Sequence, residues 1–293
     1  WKSCKILCNN YNHYSTLTPY NYTLIHLVCS YSMDEVMKKI NHVTAGVILA
    51  STSLYAPVAQ ADEWSANFAA SNNYIWRGLT QTVNSPAVSG GFDVNAGGFY
   101  VGTWISNVSY AADDVYSYEH DIYGGYTGEV ELWRYGNISY DIGYLYYNYD
   151  AEAQFDFGEL YGSIGVGPFT FGLNVLTNTE AVESAAYSIH TIEGPAITIE
   201  HIKGQDFGIG KTTYLYADYG TTLDNGVDLG FHMGHHQGDF SEAFNGVPGS
   251  YMDYAVSVSK DGFTFMVTST NLDDVGPDAL DNDDIKFVIG YGL

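Results

Sequence analysis

Apolar and polar positions alternate along this chain with a period of two. Between Glu63 and Arg77, the residues Trp64, Ala66, Phe68, Ala70, Tyr74 and Trp76 share one parity, and Glu63, Ser65, Asn67, Ser71, Asn73 and Arg77 share the other. Strict alternation of this kind predicts a β-strand with one apolar and one polar face. The pattern returns over 86–96, 98–108, 117–127, 137–149, 155–166, 168–178, 211–221, 226–237, 251–260, 262–271 and 284–293. It is cleanest in 137–149, where Ile138, Tyr140, Ile142, Tyr144 and Tyr146 oppose Ser139, Asp141, Gly143 and Tyr147. Helix caps and helical spacing are scarce, and no run after Asp62 is long and apolar enough for a membrane-spanning helix.

The connections alternate as well. Tight turns fall at Ala96–Gly98, Gly167–Pro168, Leu223–Gly226 and Lys260–Gly262, with a somewhat longer link at 128–136, and longer links at 78–85, 109–116, 179–210, 238–250 and 272–283, with the short 150–154 as the exception. Short turns at one end and long loops at the other, joining segments of about ten residues, are the signature of an outer-membrane barrel. The expected fold is therefore all-β, an antiparallel transmembrane β-barrel of about 12 strands. Within 179–210, Ala196–His201 reads as a loop hairpin or an extra strand. A water-soluble sandwich or barrel is the competing reading, but it leaves unexplained the aromatics at strand ends. In a membrane these form interfacial girdles, and Tyr144, Tyr146, Tyr147 and Tyr149 fit that placement.

Composition sharpens this picture. The chain has 27 Tyr and 32 Gly but 7 Pro, which suits strands and tight turns at a boundary between lipid and water. Its 34 acidic residues outnumber 10 Lys and Arg, for a formal charge of −24, and this speaks against nucleic acid as a partner. The three cysteines, Cys4, Cys8 and Cys29, all precede the barrel pattern, so thiolate chemistry and disulfides are excluded from the rest. Met37–Lys38–Lys39, the apolar run Val43–Leu54 and Ala59–Gln60–Ala61 together read as a secretory signal peptide over 37–61. Residues 1–36 then read as translated sequence upstream of the start, and 62–293 as the barrel.

The segments Asn73–Thr82, Pro86–Asp93 and Gly98–Trp104, with Asp141–Ile142–Gly143–Tyr144 and Val256–Ser257–Val258–Ser259–Lys260, closely resemble the TorF-type porin family of Gram-negative bacteria. The resemblance runs over 62–293 and is strongest over 72–107. It implies an outer-membrane β-barrel with a channel role, and brings no agreed substrate and no established site. The chain departs from the family at 179–210, which is expanded, and at its last residue Leu293, where such barrels usually carry an aromatic. The expected partners are outer-membrane lipid and lipopolysaccharide, the barrel-assembly machinery and small solutes.

The polar parity defines the candidate pore lining. Arg77 is expected in the lumen at the external end of the first strand, with Tyr74 and Trp76 toward lipid. Lys286 lies inward near the same end on the neighbouring last strand. Glu119, Asp121, Asp141, Glu159, Asp218, Asp228 and Asp253 share the inward face, as do His232 and His236. Cations on one wall and acids on the others would set a transverse field and give mild cation preference. Alternatively, Arg77 makes a structural ion pair that fills a narrow barrel. His232, His236 and Asp228 have part of a zinc-binding pattern, but lining is the simpler role and no metal or other cofactor is expected. The acidic stretch Asp273, Asp274, Asp278, Asp281, Asp283 and Asp284 reads as a solvated loop rather than a calcium loop. Ser257 or Ser259 with His232 is all that a lipid hydrolase would have to work with. No nucleophile elbow is present, so no catalytic residue is expected.

Overall fold

The computed structural model describes residues 63–109, 117–132, 136–149, 156–193, 196–273 and 282–293. The expected leader over 37–61, the segment before it and residues Asp274, Asp278 and Asp281 of the acidic loop lie outside the described residues. Twelve antiparallel strands close into one barrel. In chain order they are β1 (Glu63–Ser71), β4 (Ala87–Ala96), β5 (Phe99–Asn107), β6 (Tyr118–Leu132), β7 (Gly136–Tyr149), β8 (Phe157–Val166), β9 (Phe169–Thr179), β12 (Thr213–Thr222), β13 (Asp228–Gln237), β14 (Ser250–Lys260), β15 (Phe263–Thr270) and β16 (Lys286–Gly292). Each pairs with its neighbour along the chain, and β1 closes the ring on β16, with Ala70 opposite Tyr291. Two short ladders stand apart from the barrel sheet, β2 (Ile75–Trp76) with β3 (Leu79–Thr80), and β10 (Tyr187–Glu193) with β11 (Ala196–Ile202). One helix, α1 (Asp239–Asn245), sits in the β13–β14 connection.

Alternation fixes which side chains point outward. Phe92, Val101, Ile142, Ile164, Phe171, Leu215, Phe231, Val256, Phe265 and Ile289 are all exposed, and they come from strands all round the ring. The inward parity carries Glu119, Asp121, Glu159, Asn174 and Asp253, which are buried. Exposed apolar residues around a full circumference, with polar residues inside, invert the soluble arrangement and match a barrel whose outer face meets hydrocarbon. Among the described residues no helix is long and apolar enough to cross a membrane, which does not bear on crossing by strands.

The inner wall is papered with tyrosine laid over glycine. Tyr216 covers Gly172, Tyr161 covers Gly143 and Tyr123 covers Gly102, each on an adjoining strand, so that a methyl group at any of these glycines would run into the ring. Missing side chains on one strand thus become seats for aromatic rings on the next. Held this way, the hydroxyls reach carboxylates: Tyr123 donates to Asp93 at 2.6 Å and Tyr100 to Asp141 at 2.7 Å.

The structure corrects two sequence expectations and decides a third between its alternatives. The first strand ends at Ser71, not Arg77, and Tyr74 and Trp76, expected toward lipid, are 5% and 4% exposed inside the barrel. Tyr147 and Tyr149, expected in an outer girdle, point inward and are buried, while Tyr144 and Tyr146 keep the outward parity. Of the two readings of Ala196–His201, the loop hairpin is the one seen.

A charge placed on the outer face should be costly. Val256→Arg, near the middle of β14, is expected to lower folding stability in lipid vesicles by about 2–4 kcal/mol, read from reversible denaturant unfolding. An unchanged midpoint would contradict the orientation of the wall.

Candidate functional site

The site is built on the segment between β1 and β4, which turns into the barrel instead of running over its rim. Asn72 anchors its root: its amide nitrogen side chain donates to the Phe287 carbonyl at 3.0 Å, and its side-chain oxygen accepts from the Ile289 N–H at 2.8 Å. Asn73 then ties the two legs together by accepting from the hydroxyls of Thr80 (2.7 Å) and Thr82 (3.2 Å) and donating to Asn84 (2.9 Å). The backbone bond from Gln81 N–H to the Tyr74 carbonyl, 2.7 Å, closes the hairpin. Its tip is Arg77–Gly78, with φ of 48° and 80°. Positive φ at both central residues is what a two-residue hairpin turn of the primed type requires. Gly78 is packed so closely on the wall that a Cβ there would lie 2.6 Å from Asp253 Cβ and 2.6 Å from Thr270 Cγ2.

With Gly78 against β14 and β15, Arg77 reaches across to β8. Its guanidinium donates twice to Glu159, at 3.0 Å and 2.5 Å, and the two side chains are 0% and 3% exposed. Glu159 also accepts from Asn174 at 3.0 Å and from the Tyr147 hydroxyl at 3.4 Å. Two aromatic rings pack on the cation: its central carbon lies 4.2 Å from the Trp76 ring centroid and 4.3 Å from that of Tyr214. The edge of the fork meets His236 Nε2 at 3.3 Å. Burial works against the charged guanidinium, but Glu159 outweighs it, and the Arg77 pKa is raised. The charge is thus permanent, doubly hydrogen-bonded and shielded from water.

A second anchor lies one turn of the hairpin away. The Tyr74 hydroxyl donates to Glu119 at 2.7 Å, and Tyr149 donates to the other Glu119 oxygen at 2.7 Å. Burial, then Glu119, raise the Tyr74 phenol well above its ordinary value, so it remains a donor. Trp76 packs edge-on against Tyr147, Phe157, His236 and Phe244 of α1, and Phe240 of α1 packs on Phe157 and Phe207. These rings belong to one buried aromatic cluster that continues into Tyr100, Tyr123 and Tyr161. The α1 contribution carried no advance signal. The hairpin did carry one: Ile75–Trp76, Arg77–Gly78, Leu79–Thr80 has the two-residue turn spacing with glycine second.

The candidate residues separate into levels. Arg77, Glu159, His236 and Asn174 meet at one point, with Glu119 and Asp121 buried on the neighbouring wall and Lys286, 8% exposed, at the start of β16. Asp253, Asp218 and His232 form a second group: His232 bonds Asp218 at 2.6 Å, Asp253 at 3.0 Å and the Tyr214 hydroxyl at 2.7 Å. Asp141 belongs to the tyrosine layer. Asp228 sits at the tight-turn end and takes the Thr222 hydroxyl at 2.6 Å, away from the histidines. His236 faces Ser241 and Tyr251. No metal-binding group of three His, Cys, Asp or Glu is present among the described residues. Ser259 pairs with Thr264 at 2.8 Å, and no hydrogen bond among the described residues joins His232 to Ser257 or Ser259. Arg77 does not sit on the β1 wall as the transverse-field arrangement requires. It crosses the lumen from a hairpin.

Removing either partner of the pair strands the other in a dry site. Glu159→Gln and Arg77→Ala should each destabilise the folded protein by about 3–5 kcal/mol, measured by denaturant unfolding in detergent. The double substitution should cost less than the sum. Gly78→Ala should also destabilise, since it meets both positive φ and the wall. Additive losses at Arg77 and Glu159 would contradict direct coupling.

The barrel is similar to several solved porins. A KdgM porin shares 9% identity at a TM-score of 0.42, with 78% of this chain and 97% of that chain covered. OprD of Pseudomonas aeruginosa shares 11% at 0.34, covering 78% and 66%. OmpF of Salmonella typhi, solved in complex with daunomycin, shares 8% at 0.32, covering 79% and 98%. No curated protein matches the sequence. Residues 56–279 match the family described as bacterial protein of unknown function (Gcw_chp), and the chain belongs to that family.

Proposed function

We propose that the protein is an outer-membrane barrel of the porin type, related to the TorF porins it resembles, and delivered through a cleaved leader over 37–61. It passes small hydrophilic solutes or ions by passive diffusion with a mild cation preference, and its own hairpin sets how open it is. One observation carries this reading: the β2–β3 ladder that blocks the lumen is joined to no barrel strand. Side chains hold most of the plug, with a main-chain bond from the Ser109 N–H to the Gln81 carbonyl (2.8 Å) outside the barrel sheet, so it can move while the barrel's backbone ladder stays intact. The acid excess of the inner wall, with Asp93, Asp141, Asp218 and Asp253 along the path, favours cations over anions.

A second reading is a permanently closed barrel with a binding or structural role. The aromatic packing of Trp76 against Tyr147, Phe157 and Phe244 favours it, because the plug then has as firm a seat as any core element. Bilayer recording separates the two. Purified wild-type protein is expected to conduct rarely. Arg77→Ala, with its latch removed, should show several-fold more open time, and reversal potentials in a salt gradient should have the cation sign. If Arg77→Ala insulates as well as the wild type, the barrel is closed by design. Anion-signed potentials would contradict the selectivity.

A further inference from the structure

The seat of Arg77 has the features of a ligand site. We infer that the lumen holds a guanidinium-binding site, occupied in this structure by the protein's own Arg77 as a tethered ligand, and that solutes bearing a guanidinium group are the class the barrel recognises. This rests on the porin-type reading above for its transport meaning, but not for the binding itself.

The wall supplies each element of guanidinium recognition. Glu159 offers both carboxylate oxygens in a fork that matches two parallel N–H groups. Tyr214 offers an aromatic face at 4.3 Å, and its own hydroxyl is held by His232 and Asp253, so the ring is fixed before any ligand arrives. Tyr147 and Asn174 brace Glu159 from the other side. These groups come from β7, β8, β9 and β12 and stay in place if the hairpin leaves. Only the Trp76 face departs with the hairpin.

Arg77 also leaves this site incompletely used. Its Nε–H has no hydrogen-bond partner among the described residues, although the side chain is fully buried. Asn174 is 0% exposed, donates its amide N–H to Glu159, and keeps an unpartnered Oδ1 beside the same carboxylate. An unpaired donor and an unpaired acceptor around one ion pair are costly in a dry site. With its fork on Glu159 and its central carbon over the Trp76 and Tyr214 rings, Arg77 leaves that Nε unpaired. A free guanidinium ion, with N–H groups on every side, could use Glu159 and Asn174 together. An ammonium is a poorer fit, since a point charge cannot span the fork or stack on the ring.

The test is chemical rescue of the vacated seat. Detergent-solubilised Arg77→Ala is titrated with methylguanidinium chloride and, separately, with methylammonium chloride, at matched ionic strength and at concentrations too low to denature. Binding is followed by calorimetry and by the thermal midpoint of the barrel. Methylguanidinium should bind and raise the midpoint, with methylammonium about ten-fold weaker or worse, and the double variant Arg77→Ala/Glu159→Gln should bind neither. Should Arg77→Ala not fold, Arg77→Lys keeps the test: its ammonium makes a poorer latch, and methylguanidinium should still displace it and bind, while Arg77→Lys/Glu159→Gln should not respond. Equal response to the two cations, no response, or a response surviving Glu159→Gln would overturn the inference. Because the readout is binding, silent bilayer recordings alongside positive titrations would defeat the transport reading and leave the site standing.

Discussion

A guanidinium with no solvent exposure must find its counter-charge inside the barrel, and Arg77 finds it in Glu159 on the far wall. Much of the long-loop half of the molecule is arranged around that requirement. Carrying a cation across the lumen needs a hairpin rather than a wall residue, and a hairpin this short needs a two-residue tip with positive φ, hence Arg77–Gly78. Glu159 in turn is oriented by Asn174 and Tyr147, and Tyr214 is oriented by Asp253 and His232. A residue other than glycine in the left-handed region costs about 1–3 kcal/mol. Two charge-assisted hydrogen bonds and two aromatic faces hold Arg77 there against that cost.

The wall itself is less demanding. Its strands follow from side-chain parity, and the β14 segment Tyr254, Val256 and Val258 outside with Asp253, Ser257 and Ser259 inside is as readable in the sequence as in the structure. Period two reports which residues share a face but not what that face meets. That distinction is where the sequence misled at Tyr74 and Trp76. Their parity continues that of Trp64 and Phe68, so they read as lipid-facing, yet Trp64 is 73% exposed and Trp76 is 4% exposed. The chain turned inward at Asn72, and inside a lumen an aromatic residue is core. Tyr147 and Tyr149 were misplaced for the same reason, because tyrosine suits both a girdle and a packed interior. The inward carboxylates were legible one by one. Their partners were not, since Arg77 and Glu159 are 82 residues apart and only closure of the ring brings them together.

The two halves of the lumen therefore follow different chemistry. The long-loop half is aromatic and largely buried; there Arg77 pairs with Glu159, while Glu119 is met by the hydroxyls of Tyr74 and Tyr149. Toward the tight turns, tyrosines lie flat over glycines and hand their hydroxyls to Asp93 and Asp141, which leaves a polar, acidic wall. The first half can be held shut by one ion pair, and the second can attract cations, without either altering the sheet that carries both.

The Arg77–Glu159 pair requires residues 73–82 to be a packed plug and not a surface loop. Amide hydrogen exchange of the wild-type protein in lipid measures this directly. The amides of Tyr74 and Gln81 should exchange nearly as slowly as those of the neighbouring strands, and in Glu159→Gln they should speed up by orders of magnitude while β14 and β15 stay protected. Exchange of those amides in the wild type at the rate of an open loop would contradict the plug, and with it the role of the Arg77–Glu159 pair.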